Sequence, residues 1–198
     1  YNVIIATSDT LVVSKDILQQ LEQLDSENLG AVGPKVTNLV NDDQNPMLSK
    51  VGISYVVNIH YPLAASFLRT LVYKLAPFLK ATISKKKDDM RKRVQSSNVY
   101  MIHGCFLYLT SHYFDKCGYL DESLFMYGEE DLLAYNCFHN NLRILYQPSI
   151  EIIHKDARST PIENNNSFSV VNSQKSIVYL KKKMKLSSLL IQVFRSWK

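Results

Sequence analysis

Apolar and polar positions along the 198-residue chain follow two periods in turn, that of strands and that of helices. Residues 2–6 (Asn2, Val3, Ile4, Ile5, Ala6) read as a buried strand. Thr7-Ser8-Asp9-Thr10 then forms a turn at its carboxyl end, where α/β folds place ligand chemistry. Ser14 reads as the N-cap of a helix with Ile17, Leu18, Leu21 and Leu24 on one face, ended by Ser26-Glu27-Asn28 and Gly30. A short strand is expected from Ala31 to Val36, a polar surface loop over 37–46, and extended structure from Leu48 to Val57. In 61–94, Leu63, Phe67, Leu71, Leu75, Phe78 and Leu79 fall at helical spacing, and Lys85-Lys86-Lys87 and Arg91-Lys92-Arg93 follow. Two readings stand for this segment: a helix packed on the domain before a solvated charge run, or an interfacial helix on an anionic membrane.

The strand pattern returns at Val99 to Ile102 and, after His103-Gly104, at Cys105 to Leu109. Helices are expected from Ser111 to Gly118 and from Glu129 to His139, the second closed by Asn140-Asn141, which tolerate left-handed backbone. Strands at 142–146 and 150–154 flank Pro148. A helix from Ser169 to Lys185 and an amphipathic basic tail ending in Trp197 complete the chain.

Composition adds three constraints. The apolar share of 46% and charged share of 21% are those of a globular domain, which excludes global disorder. No hydrophobic run reaches about 18 residues without a charged or strongly polar interruption, so no span of a bilayer is expected. The chain starts at Tyr1 and enters a strand at once, with no charged leader, and the expectation is a larger domain whose amino terminus precedes it.

Cys105, Cys117 and Cys137 show no C-x-x-C spacing and are odd in number, which fits a reducing compartment. His103 with Cys105 and Cys117 is a conceivable metal set, weighed against small buried thiols in apolar surroundings. The net charge of +5 is concentrated at 85–93 and 181–185, and such clusters attract phosphate. Nucleic acid is not expected as a partner, because no stacking aromatics are interleaved with the basic run.

The richest chemistry lies at Glu129-Glu130-Asp131. Acidic residues in a first turn favour the helix dipole, which is a purely structural explanation. The context points further: Gly128 precedes the cluster, Phe125 and Tyr127 flank it, and His154 sits on a later strand. Crowded carboxylates beside apolar aromatics gain proton affinity, which suits a general base, with a second carboxylate orienting substrate.

In order and spacing, five segments resemble family-2 glycosyltransferases of the GT-A fold: His103-Gly104-Cys105-Phe106-Leu107, the run Phe114 to Glu122, Phe125-Met126-Tyr127-Gly128-Glu129-Glu130-Asp131, Ile144-Leu145-Tyr146-Gln147-Pro148, and Ile153-His154-Lys155. They are most similar to the bacterial branch with rhamnosyl- and galactofuranosyltransferases of surface polysaccharide assembly. The likeness runs from residue 1 to about residue 185.

The resemblance implies an α/β, Rossmann-like mixed sheet flanked by helices, truncated at its amino end. Residues 1–160 would carry the metal-binding and acceptor side, with 61–94 as an amphipathic, basic insertion and 161–198 as a helical extension. Asp9 matches the last carboxylate of the metal motif, and Thr7 stands where many members have an acidic residue. His154 matches a histidine completing the metal site, for Mg²⁺ or, with better tolerance of imidazole, Mn²⁺. Glu130, 24 residues before His154, falls on the catalytic-base position, with Asp131 the next candidate and Glu129 beside them. Gly104 matches an acceptor-side glycine, and Thr7, His103, Tyr127 and Gly128 join it as expected substrate contacts.

The activity so implied is inverting transfer of a sugar from a nucleotide-diphosphate donor to a hydroxyl of a glycan or lipid-linked glycan acceptor. The family's nucleotide-binding strands precede the metal motif, so weak donor binding by this chain alone is expected. The competing expectation is a non-catalytic acceptor- or membrane-binding module. Nucleotide sugars and the lysines from Lys181 onward suggest a cytoplasmic protein, peripheral at the inner face of the plasma membrane.

Overall fold

The computed structural model describes residues 1–24, 26–67, 95–124, 126–155 and 165–196. The expected helix beyond Phe67, the basic run at 85–93, Phe125 and Trp197 lie outside the described residues. Among the described residues the chain is a mixed α/β protein: a mixed six-stranded sheet flanked by helices.

The sheet is organised by two long strands, β3 (Leu29–Asn38) and β6 (Arg143–His154), which pair in parallel. The first six residues of β3 are buried, as expected of a central strand covered on both faces. β5 (Phe106–Leu109), also buried throughout, pairs antiparallel with β3 and, on its other side, with β1 (Val3–Ala6). The outer edge of β6 is shared by β4 (Ser97–Val99) along its first half and β2 (Thr10–Val12) at its end, both antiparallel. The order is therefore β1-β5-β3-β6-β2, with β4 beside β6.

β6 is continuous through Pro148 and is not two strands. The irregularity the proline introduces is taken up in the register, which moves from Pro34 opposite Gln147 to Lys35 opposite Glu151. Ser14 is not an N-cap. Its Oγ accepts the Glu151 N–H at 2.7 Å and donates to the Ser149 carbonyl at 3.3 Å, fastening the end of β2 to β6. Asp16, at φ 54°, precedes helix α1 (Ile17–Glu22) without a side-chain cap.

Residues 53–57, expected to be extended, lie in helix α2 (Ile53–His60). The β-branched residues Ile53, Val56, Val57 and Ile59 disguise it, but Val56, Ile59 and His60 are buried at helical spacing, so tertiary packing overrides propensity. Helices α3 (Ser111–Cys117) and α4 (Glu129–His139) match expectation, and Asn141 at φ 55° supplies the left-handed residue after α4.

The carboxyl-terminal segment is two helices, α5 (Asn165–Lys183) and α6 (Leu186–Ser196). Leu180, Met184, Leu189 and Val193 enter the same buried cluster as Leu107, Leu109, Leu132 and Leu133, so these helices share the core of the sheet. Tyr179 donates to Asp121 Oδ2 at 2.6 Å and Lys183 stands 3.3 Å from the same oxygen; the Tyr179 bond above all holds the Asp121 carboxyl well below its usual range. On α6, Leu190, Ile191 and Phe194 remain exposed. No described helix is long and apolar enough to cross a membrane.

Candidate functional site

The link of three residues between β1 and β2 joins strands at opposite ends of the sheet order, so Thr7 to Asp9 crosses the ends of the strands between them. At one end of the link, Thr7 N–H donates to the Cys105 carbonyl at 3.0 Å. At the other, Lys155 N–H donates to the Asp9 carbonyl at 3.0 Å, and Thr10 pairs with His154 in the ladder. Asp9 is thereby set against His154, with Oδ2 3.4 Å from Nε2 and only 12% and 13% of the two side chains exposed. The Thr7 hydroxyl, first, and then His154 hold the Asp9 carboxyl below its ordinary range against the opposing effect of burial.

His154 Nδ1 lies 2.9 Å from Gln44 Oε1. That contact holds the ring with Nε2 turned to Asp9. The His103 ring stands 5.2 Å from that of His154. Its backbone N–H donates to Asn45 Oδ1 at 2.7 Å, and buried Asn45 is itself held by the Pro34 carbonyl at 2.9 Å.

One residue along, the Gly104 N–H donates to Glu130 Oε1 at 3.1 Å, which joins the start of α4 to the same turn. A Cβ on Gly104 would stand 2.8 Å from that oxygen, so the close approach this position requires is that of the Glu130 carboxylate itself. Burial, chiefly, and then the neighbouring Glu129 charge push the Glu130 carboxyl up to about 7; the Gly104 and helix N–H groups oppose the shift without cancelling it.

The three adjacent carboxylates do not share one pocket. Successive helical side chains point about 100° apart, and Asp131 is turned away to accept the Tyr55 hydroxyl at 2.7 Å. Burial raises the Asp131 carboxyl and the Tyr55 bond lowers it. Glu129 is exposed and lines a cavity of about 240 Å³ with Thr7, Gly104, Leu107, Asp121 and Leu132. Gly128 has φ 92°, and a Cβ there would meet Leu180 of α5 at 2.9 Å, so backbone and packing both require glycine. Tyr127 is 36% exposed before the helix.

Of the expected residues, Thr7, Asp9, His103, Gly104, Glu130 and His154 are thus assembled around the 103–105 turn, and Asp131 is directed elsewhere. Sequence reasoning missed Gln44, Asn45 and Tyr55. Gln44 and Asn45 sit in the polar loop over 37–46 and Tyr55 in a segment read as strand, so neither composition nor period signalled them. The fit to a divalent ion is good at Asp9 and His154: a carboxylate oxygen and an imidazole nitrogen 3.4 Å apart have the separation of two ligands of one ion with bonds of about 2.1 Å. No protein-family model matches the chain, and no curated protein matches it.

Proposed function

We propose that the protein is an inverting glycosyltransferase of the family-2, GT-A type, transferring a sugar from a nucleotide-diphosphate donor to a hydroxyl of a glycan or lipid-linked glycan acceptor. The observation that carries this reading is Glu130: a desolvated carboxyl at about 7, fixed on Gly104 N–H at 3.1 Å, on the same turn that backs Asp9 and His154. A base of that proton affinity is matched to neutral pH.

In the step so assigned, Glu130 takes the proton of the acceptor hydroxyl as that oxygen bonds to the anomeric carbon. The bond from that carbon to the donor diphosphate breaks, and its electron pair leaves with the diphosphate oxygen. A Mg²⁺ or Mn²⁺ ion held by Asp9 and His154 would supply neutralisation of the diphosphate charge. Thr7 orients Asp9 and Gln44 orients His154; these are positioning roles. The exposed Leu190, Ile191 and Phe194 of α6, with Lys181, Lys182 and Arg195 on α5 and α6, support a peripheral position at the inner face of the plasma membrane.

The test is release of nucleoside diphosphate from a panel of nucleotide-diphosphate sugars with lipid-linked acceptors, for the wild type and for Glu130→Gln and Asp9→Asn. Both substitutions are expected to abolish most turnover while leaving the fold intact. Unchanged turnover in both sinks the catalytic reading and leaves a binding module.

A further inference from the structure

Beside the Asp9–His154 pair, the ligand atoms of His103, Cys105 and His154 lie within 4.8 Å of one another. We infer that this turn is a site for a thiolate-accepting divalent ion of the Zn²⁺ class, held by His103, Cys105 and His154, with the Asp9 carboxylate beside His154. The inference does not depend on the transferase reading.

Four observations carry it. The clustered donors are one sulfur and two imidazoles, with a carboxylate against one of the rings, a combination that favours Zn²⁺ over the oxygen-seeking Mg²⁺. Donor atoms on one tetrahedral zinc stand about 3.4–3.6 Å apart, given Zn–N near 2.0 Å and Zn–S near 2.3 Å. Asp9 and His154 are already at 3.4 Å, and the trio closes with a movement of roughly 1 Å, within side-chain adjustment.

The rings are also held in place. His154 is fixed by Gln44 Oε1, 2.9 Å from Nδ1, with Nε2 on the side of Asp9. His103 Nδ1 accepts the Cys105 backbone N–H at 3.1 Å, so that nitrogen has its lone pair on the side of Cys105. Metal binding exchanges that hydrogen bond for a coordinate bond. The thiol proton passes to solvent as the thiolate forms. Finally, the setting is dry: Cys105 is buried with Val36, Phe106 and Ile152, and Asp9 and His154 are nearly so, which strengthens every bond to a cation.

The consequence is selectivity. Zn²⁺ binds here in preference to Mg²⁺ and Mn²⁺, and competes with them for His154.

The experiment is titration of the reduced, full chain with Co²⁺ as a spectroscopic stand-in for Zn²⁺, followed by Zn²⁺ competition against a chromogenic chelator. The wild type should show a near-ultraviolet thiolate-to-cobalt band that Zn²⁺ bleaches. The band should disappear in Cys105→Ser and persist in Cys117→Ser and Cys137→Ser. Because Cys105 is buried and its replacement can disturb folding, His103→Gln provides a second measure. In both site variants, Zn²⁺ affinity should fall by more than the roughly 10- to 100-fold that loss of an outer-shell partner costs. Cobalt bound with no thiolate band, a band that survives Cys105→Ser, or Zn²⁺ affinity no greater than that for Mn²⁺ overturns the inference. None of these readouts involves turnover, so a chain that binds Zn²⁺ through Cys105 but transfers no sugar refutes only the transferase reading, and the reverse result refutes only this one.

Discussion

Asp9 and Glu130 approach one short turn, 103–105, from different elements, and their surroundings move their proton affinities in opposite directions. Asp9 reaches it from the β1–β2 link, where Thr7 and His154 keep the carboxyl ionised. Glu130 reaches it from the start of α4, where burial and the Glu129 charge favour the protonated form. Two carboxylates separated in this way are suited to different work: a permanent anion for a cation, and a proton carrier for neutral pH. The difference comes from desolvation and from the sign of the neighbouring charge, not from residue type. The Glu130 carboxyl also receives N–H groups, but they do not repay its burial.

The largest effect that separates the two is on rate. In the wild type, turnover should rise with pH through about 7 as Glu130 loses its proton. Glu130→Gln should lose roughly 10²- to 10⁴-fold in turnover together with the inflection, whereas Asp9→Asn should lower turnover and keep the inflection. An inflection that survives Glu130→Gln breaks the division of roles.

Stability provides the next test. The folded Glu130 carboxyl titrates at about 7 against an ordinary 4.5, so the folded state binds the extra proton between these values. Stability is undiminished below the ordinary value and falls as pH rises toward 7, by a total on the order of 3 kcal/mol. Glu130→Gln removes the titration, and urea unfolding should show it more stable than the wild type at pH 8 and equal to it near pH 4. Parallel curves would falsify the desolvated carboxyl.

Gly104→Ala should act through position alone. The new Cβ meets the far end of the flexible Glu130 side chain, which can move, so the fold should survive while the carboxylate is displaced. A shift of about 1 Å at a reacting group costs as much as roughly 100-fold in rate. An unaltered rate would place the working carboxylate elsewhere.

Much of this arrangement was legible in the sequence, and what was not has definite physical causes. The bounds of α4 follow from Gly128 before it, the apolar face within it and Asn140-Asn141 after it. Strand β2 escaped notice because Leu11, Val12 and Val13 are about half exposed and show no alternation. Helix α2 escaped because its β-branched residues favour strand until α5 and α6 pack on it. The crowding at Glu129-Glu130-Asp131 announced a raised carboxyl. Which of the three faces the turn depends on the 100° step of the helix and on Tyr55, which draws Asp131 away. His154 was tied to Asp9 by the family resemblance, whereas Gln44, which orients it, is 110 residues away in a loop with no periodic signal.

The smallest effect sharpens the comparison from the Asp9 side. The Thr7 hydroxyl is the largest cause of the lowered Asp9 carboxyl, and it also lies 3.0 Å from the Thr10 hydroxyl. Thr7→Val keeps the shape and removes the hydroxyl, with an expected cost of about 0.5–1.5 kcal/mol, that of one ordinary hydrogen bond. The sign is fixed by linkage. A carboxyl depressed in the folded state contributes stability above its ordinary value of 3.8, and that contribution is lost as pH falls through the folded value. Urea midpoints for the wild type and Thr7→Val should therefore differ most at pH 7 and converge below pH 3.8. The pH–rate inflection near 7, which belongs to Glu130, should stay where it is. A variant that moves that inflection would show the two carboxyls to be coupled through the turn, and the separation of their roles would then be a property of the pair and not of two independent sites.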